Sequence, residues 1–467
     1  MAEHVKHVLG DQTIHGCFSK SPSKPVAYSL MFSEFIYIYI KGIRFPYLNR
    51  SFFSLFGILA SQPIIQGIPL GQARSSEIHH ESVEFPFNCS NLVNYPSVFE
   101  PKESSTNGTC PDYFRWIHQD LKQWKSTGIT EDMIERGKPS ADFRLVIVNG
   151  TAYVERYRMS YQTRDVFTIW GILQLLRFYP GKVPDLDLLF FCGDDTAIKK
   201  RNYKGRYAAL APPVFHYCGE KAALDIVFPD WTFWGWGEVN IKPWEETLRA
   251  IKKGNERIKW EKREPYAYWK GNPLVSRDRR LSFMKCNLSA KHDWNVRLYK
   301  QDWGQEIQGG FKHSKLEDQC THSMVPMQHF WPIRRKNRCK HLKFAVEWGN
   351  NHPHMAEAIG KAGSKFIEEA LTMRNVYDYM FHLLNEYSKI LKFKPTIPPN
   401  AQKLCSETTE QGLWKEFMVQ SMLKSPSDKP PCALPPPFEP QAIQASLDAK
   451  ENKTRQTKTW ETEYWKN

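Results

Sequence analysis

The sequence predicts an α/β fold, and three observations carry that expectation. Residues 143–158, "FRLVIVNGTAYVERYR", place two β-rich arms around Asn149-Gly150. Residues 163–181 form a broadly apolar stretch of helical character that stops at Pro180-Gly181. Residues 184–191, "PDLDLLFF", then run from a proline into another apolar stretch. Strand, helix and strand in this order make a βαβ unit, and an apolar strand after a buried helix predicts a parallel sheet.

Each element has a local cause. Asn149-Gly150 is the pair that a type I′ hairpin turn demands, because both central residues need positive φ. Thr163 is placed to cap the helix, and Asp165 suits its first turn. Upstream, Phe114, Ile117, Leu121 and Trp124 recur at helical spacing. Downstream, "LDIVFPDWTFWGW" (224–236) reads as a buried strand entering an aromatic loop. "KPWEETLRAIKKGNERIKW" (242–260) is an amphipathic helix, and "PYAYWKGNP" (265–273) is a short strand broken by Gly271. A later helix sets Tyr377, Met380, Leu384, Tyr387 and Leu391 on one side. The tail after 405, with "PSDKPPCALPPPFEP", reads as an extended arm rather than core.

A chain of 467 residues, 41% hydrophobic with 16 Trp, 20 Tyr and 28 Phe, can bury a large core across two or three domains. Its net charge of +14 and pI near 9.1 admit nucleic acid, a membrane surface or a phosphate-bearing ligand. The charge is spread, the densest run being "RRKNRCKHLK" at 334–343, which is how a solvated surface looks. No nucleic-acid-binding module pattern appears, so no nucleic-acid partner is expected.

Ten cysteines are dispersed with no C-x-x-C pair, which suits disulfides in an oxidising lumen. Six N-x-S/T triplets begin at Asn49, Asn88, Asn107, Asn149, Asn287 and Asn452, and point the same way. Residues 51–73 carry no charge and have the length of a single-pass membrane anchor. A degenerate signal peptide is the competing reading, given Pro63 and Pro69. The basic residues before 51 and the acids after Arg74 favour a cytosolic N-terminus and a lumenal body.

The chemistry centres on the end of the 184–191 strand, where Cys192-Gly193 leads to Asp194 and Asp195. Ligands of open α/β sheets sit beyond the carboxyl ends of the strands. A carboxylate there can serve as a general base, or the pair can be turn chemistry that ends the strand. Asp185 and Asp187 form a D-x-D triplet, but Asp187 lies within the strand, at the wrong end for a metal site. The basic side of a site is offered by Lys270, Gly271, Asn272, Arg277, Arg279 and Arg280, suited to a diphosphate, with a solvated basic loop as the alternative. Trp231 and Trp234 offer an aromatic platform for a sugar, against the commoner use of tryptophan in a core.

The phrases "FRLVIVNGTAYVERYRMSYQTRDVFTIWGILQLLRFYPGKVPDLDLLFFCGDD", "LDIVFPDWTFWGWGEVNIKPW", "PYAYWKGNP", "RLYKQDW", "LEDQCTH", "QHFWPI" and "LKFAVEWGNNH" resemble, in order, the plant branch of the Rumi-type protein O-glucosyltransferases. This is glycosyltransferase family 90, which also holds fungal capsule-associated xylosyltransferases, and the likeness spans about residues 110–465. It implies a GT-B-like fold of two Rossmann-like domains facing a cleft. It implies inverting, metal-independent transfer of glucose or xylose from UDP-glucose or UDP-xylose to a hydroxyl of a protein or polysaccharide acceptor, in the Golgi or endoplasmic reticulum. The family's base, the Asp of a C-x-D element, falls on Asp194, while Asp195 and Thr196 depart from the usual Trp or Arg and Pro.

The resemblance also implies that a strand and helix of the donor side are missing after His322, which runs straight into "SMVPMQHFWPI". The expected organisation is a leader (1–50), the anchor (51–73), a stem (74–110) and an acceptor-side domain (111–220). A donor-side domain (221–394), truncated by an internal deletion at 322–323, and an extended arm (395–467) follow. The alternative function is a catalytically inactive lumenal member of the family.

Overall fold

The computed structural model describes residues 97–101, 108–220, 222–257, 260, 263–275, 280–310, 327, 331–333, 337–404 and 413–466. The leader, the 51–73 segment, the 322–323 junction, Arg277, Arg279 and the triplets at Asn49, Asn88 and Asn107 lie outside them. Among the described residues no helix is long and apolar enough to cross a membrane.

Phe114, Ile117, Leu121 and Trp124 are all buried, as their spacing predicts. They do not form one helix. A 3-10 turn, helix α1 (Trp116–Asp120) and a second 3-10 turn share them. Tertiary bonds hold the end of the segment, since the Trp124 indole donates to the Ala211 carbonyl at 2.8 Å. Helix α2 (Glu131–Gly137) follows and lies against the sheet.

Strands β1 (Phe143–Val148) and β2 (Thr151–Arg156) pair antiparallel from Val148↔Thr151 to Phe143↔Arg156. Asn149 and Gly150 take φ of 49° and 72°, as the hairpin requires. Helix α3 (Arg164–Phe178) crosses to strand β3 (Leu186–Phe190). Gly171 in mid-helix is there for space: a Cβ would sit 2.5 Å from the Trp234 ring. Strands β4 (Val214–His216) and β5 (Ile226–Val227) extend the sheet, helix α4 (Trp244–Arg257) follows, and the order is β5-β4-β3-β1-β2-β8, with β8 at Gln402–Lys403.

The expected parallel sheet is corrected to a mixed one. β3, β4 and β5 run parallel, but β1 is antiparallel to both β2 and β3. A two-residue turn can only return a chain antiparallel, and β1 then occupies the place beside β3. The β2–α3–β3 crossover therefore steps over β1. The arrangement still brings the carboxyl ends of β2, β3, β4 and β5 to one edge.

A second, smaller apolar cluster holds Ala267, Trp269, Phe283, Val296, Leu298 and Leu342. Its parallel strands β6 (Ala267–Gly271) and β7 (Val296–Lys300) lead into helix α5 (Trp303–Gln308). Helices α6 (Arg338–Asn351), α7 (Pro353–Ala370) and α8 (Met373–Ser388) follow, and Val376, Tyr377, Met380, Leu384 and Tyr387 of α8 are buried.

The expected extended arm is corrected in part. Residues 430–436 form no helix and only the isolated bridge Thr109↔Ala433, but helix α9 (Leu413–Ser421) buries Phe417 and Met418 in the main core. Helix α10 (Pro440–Tyr464) runs from Ile443 on the main core to Tyr464 against Phe344 of α6. Proline content marked the connector, and it said nothing about the apolar residues that α9 contributes. Disulfides Cys110–Cys432 and Cys286–Cys339 meet the expectation from the dispersed cysteines. Cys218 is disulfide-bonded too, and Cys192 is the free thiol among the described residues.

The main sheet contains a buried ion pair. Asp187 is fully buried, and its two oxygens accept from Arg144 Nε at 2.7 Å and Nη2 at 2.5 Å. Burial raises the Asp187 pKa, and the two hydrogen bonds oppose that shift. Removing only the cation leaves an uncompensated buried carboxyl, which costs about 3–5 kcal/mol. Arg144→Met should therefore lower the thermal midpoint sharply. The double variant R144M/D187L should recover most of the loss, and a scanning fluorimetry comparison of the three proteins checks both outcomes.

Candidate active site

The loops that follow β2, β3, β4 and β5 share one edge of the sheet with the N-terminus of α3. β3 ends when its last ladder bonds are used: the Phe191 amide donates to the Phe215 carbonyl at 3.0 Å, and the Cys192 amide to Asp142 Oδ2 at 2.6 Å. The chain then turns outward and presents Asp194, whose side chain is 36% exposed. Its Oδ1 accepts from Arg164 Nη2 at 3.0 Å. Its Oδ2 has no protein partner among the described residues.

Arg164 itself is 2% exposed. Its Nη1 donates to the Cys192 carbonyl at 2.9 Å, so one guanidinium fixes both the exit of β3 and the carboxylate beyond it. The guanidinium carbon lies 4.6 Å from the Trp231 ring centroid and 4.9 Å from that of Tyr161. A cation in the first turn of a helix works against the helix dipole, and the adjoining carboxylate compensates for it. Thr163 does not cap α3 with its side chain as expected. Its hydroxyl donates to Glu238 Oε2 at 2.8 Å.

The Asp194 loop is braced from behind. His216 is buried, with Nε2 3.0 Å from the Gly193 carbonyl. Asp225 accepts from the amides of Ala197 and Ile198 at 2.6 and 3.0 Å. Thr196, the departure from proline, donates to Glu220 at 2.8 Å, and Lys199 also bonds to Glu220 at 2.8 Å. Side-chain bonds thus shape this loop. Asp195 is exposed on the same loop.

The two tryptophans differ in place. Trp231 is buried with one face under the Arg164 guanidinium and its ring 4.7 Å from Tyr217. Trp234 is fully buried, donates to the Tyr377 hydroxyl at 3.0 Å and lies against Gly171. Both rings are therefore core, Trp231 at 2% and Trp234 at 0% exposed, which corrects the sugar-platform reading for the two of them, because a platform must expose a ring face.

On the second cluster, Lys270 and Gly271 end β6, and the Gly271 carbonyl accepts from the Gln301 amide at 2.8 Å. Asn272 Oδ1 accepts from the Leu274 amide at 2.9 Å, and the buried Arg280 donates to the Asn272 carbonyl at 3.3 Å. Lys270, Gly271, Asn272 and Arg280 thus form one corner at the carboxyl ends of β6 and β7. Helix α5, which follows β7, packs against the Gly237–Val239 turn. Glu238 of that turn is the partner of Thr163, so the two carboxyl edges approach each other there.

The D-x-D triplet is committed elsewhere. Arg144 holds both Asp187 oxygens, and Asp185 Oδ1 accepts from the Asn149 amide at 2.8 Å.

Sequence reasoning missed Arg164, His216 and Glu238. Only Arg164 left a signal, as a cation opening an otherwise apolar helix. The set can orient one carboxylate rigidly, keep one of its oxygens available for a proton and exclude water from the groups behind it.

The sequence model described as glycosyl transferase family 90 matches residues 105–325 and 321–461, two stretches that meet at 321–325. The O-glucosyltransferase rumi homolog of Aedes aegypti is 25% identical over 342 residues, covering 62% of this chain and 81% of that protein. O-glucosyltransferase rumi of Drosophila melanogaster is 22% identical, covering 64% of this chain and 81% of its own. Protein O-glucosyltransferase 1 of Homo sapiens is 22% identical, covering 64% and 85%.

Two measurements probe the closure of the site. Burial pushes the Cys192 thiol up to about 12. Iodoacetamide at pH 8 should leave Cys192 unlabelled in the native protein and label it after unfolding, as peptide mapping would read. Burial also raises the Glu238 pKa. The folded state then holds a proton that the unfolded chain releases near about pH 4.3, so this contribution to stability falls as pH rises. Glu238→Gln should gain thermal stability relative to the parent between about pH 4 and pH 7. A difference that stays constant across that range would assign the residue no such role.

Proposed function

We propose, starting from the fact that this chain belongs to glycosyl transferase family 90, that it moves glucose or xylose from a UDP-sugar to a hydroxyl of a protein or polysaccharide acceptor, with inversion. The observation that carries the mechanism is the half-exposed Asp194 carboxylate, held through one oxygen by the buried Arg164. Inversion needs one base and one displacement. The acceptor oxygen attacks the anomeric carbon while its proton passes to Asp194 Oδ2. The new C–O bond forms as the anomeric bond to the UDP oxygen breaks, and UDP leaves with the electron pair. General-base assistance of this kind contributes about 100- to 10,000-fold.

The leaving diphosphate needs positive charge, which Lys270, Arg280 and the neighbouring Arg277 and Arg279 supply without a metal in this proposal. We place the chain in the lumen of the Golgi or endoplasmic reticulum. Disulfides Cys110–Cys432 and Cys286–Cys339 support that compartment, because such bonds persist where the surroundings oxidise.

A second reading has its own support. The family match is divided at 321–325, within the donor side, where the sequence runs from His322 directly into Ser323. Among the described residues, the β6–β7 sheet has two strands, and Tyr299 stands half exposed on it. Parallel sheets are ordinarily covered on both faces. Losing several hundred Å² of burial costs on the order of 10 kcal/mol at roughly 25 cal/mol per Å². On this reading the chain keeps its acceptor side, binds UDP-sugar weakly or not at all, and transfers little or no sugar.

Two comparisons test these readings. The chain as it stands should turn over UDP-sugar far more slowly than a version carrying the family's strand and helix between His322 and Ser323, and UDP should raise the thermal midpoint of the extended version only. Equal turnover at equal folded concentration would remove the second reading. In the extended version, Asp194→Asn should lower transfer by about 100-fold or more while UDP still binds, and Asp195→Asn should leave it nearly unchanged. Full activity in Asp194→Asn would refute the assignment of the base.

A further inference from the structure

Three complete N-x-S/T triplets fall within the described residues, at Asn149, Asn287 and Asn452, and the first two stand in opposite surroundings. Asn149 is exposed at the tip of the β1–β2 hairpin. A Cβ added to the neighbouring Gly150 would meet nothing within 4 Å, so the space around the tip is open. The backbone amide of Asn149 is anchored on Asp185, which fixes the turn independently of the side chain. The tip is also at the far end of the sheet from Asp194. Val148↔Thr151 closes the hairpin there, whereas Phe143↔Phe190 marks the edge that carries the site. Five residues of extended strand separate the two, about 17 Å at 3.4 Å per residue.

Asn287 has its side chain committed. Its Nδ2 donates to the Leu298 carbonyl at 3.0 Å, and its Oδ1 accepts from the Leu298 amide at 2.8 Å. Both bonds go to one residue of β7, so the donor hydrogen and the acceptor oxygen lie on the same side of the carboxamide. Leu298 is buried, and the adjoining Cys286 is tied to Cys339.

We propose that Asn149 carries an N-linked oligosaccharide and that Asn287 is unmodified in the folded protein. The reaction is displacement at the anomeric carbon of a lipid-linked oligosaccharide pyrophosphate. In a host transferase the Asn Nδ2 forms the new C–N bond, the anomeric C–O bond breaks as the lipid pyrophosphate leaves with the electron pair, and the amide proton passes to a carboxylate base of that transferase. The product is a secondary amide, which is planar and prefers the trans arrangement. In that arrangement the sugar replaces the hydrogen on the same side as Oδ1. At Asn287 this is the hydrogen that Leu298 receives. A glycan there would break both bonds to β7 and put a polar oligosaccharide against a buried strand residue. Nothing comparable opposes it at Asn149.

The inference rests on the lumenal reading only in that the chain must meet such a donor, and the test supplies that meeting. The full chain is made with an added N-terminal signal sequence in a secretory eukaryotic host, and the folded, disulfide-bonded fraction is taken. Glycopeptide mapping reads Asn149, Asn287 and Asn452 separately. Thr151→Val removes the first triplet while keeping a β-branched strand residue, and Ser289→Ala removes the second without touching Asn287. Thr151→Val should lower the number of endoglycosidase-sensitive glycans by one, and Ser289→Ala should leave it unchanged. A glycan mapped to Asn287 in the folded fraction, loss of one glycan in Ser289→Ala, or an unoccupied Asn149 would each overturn the proposal. The same chain without the added signal reports on the compartment alone: absence of glycans there would count against the lumenal reading and leave the site pattern to the signal-bearing chain.

Discussion

The buried guanidinium of Arg164 is the interaction on which the site depends. Burying an isolated cation costs several kcal/mol, so its surroundings must compensate it, which they do at both Nη atoms and at the ring faces while Nε has no hydrogen-bond partner among the described residues. Asp194 answers with charge, Cys192 with a carbonyl, and Trp231 and Tyr161 with ring faces. Hydrogen bonds to a charged group contribute about 1.5–3 kcal/mol each, and a desolvated cation–π contact about 2 kcal/mol. These gains are of the same order as the cost. The guanidinium is therefore held where all its partners are present together, which ties the loops after β2, β3 and β5 to one geometry.

That geometry needs the mixed sheet behind it. Because β1 lies between β2 and β3, helix α3 has to cross over it, and the start of α3 is brought to the end of β3. The Asp187–Arg144 pair and the Tyr387 hydroxyl on the Asp187 carbonyl, at 2.9 Å, hold β3 in this place from its two faces. Residues far from any chemistry thus decide where the carboxylate stands.

The second cluster is built with less. Among the described residues it has a two-stranded parallel sheet, the Cys286–Cys339 disulfide and the side chain of Asn287 bonded to β7. Helix α10 links it to the main core, with Ile443 at one end and Tyr464 at the other. A disulfide and a long helix are the devices of a unit whose apolar core is small. Among the described residues, Lys270 and Arg280 therefore sit with the smaller apolar cluster, whereas Asp194 sits with the larger one.

The sequence by itself determined the elements whose causes are local. The Asn149-Gly150 turn, the apolar α3, the strand ending at Phe190 and the buried side of α8 each follow from a few adjacent residues, and so does the placing of Asp194 just beyond a strand. The family phrases added the class of reaction. Tertiary structure alone decided the rest. Strand order depends on which edge a crossover reaches, and no residue of β1 states that it will pair with β3. The fate of Trp234 depended on Gly171, 63 positions away, and that of Asn287 on the backbone of β7. The roles of Arg164 and His216 exist only once four separate loops meet, because burial and partnership belong to the assembled edge and not to any one segment of chain.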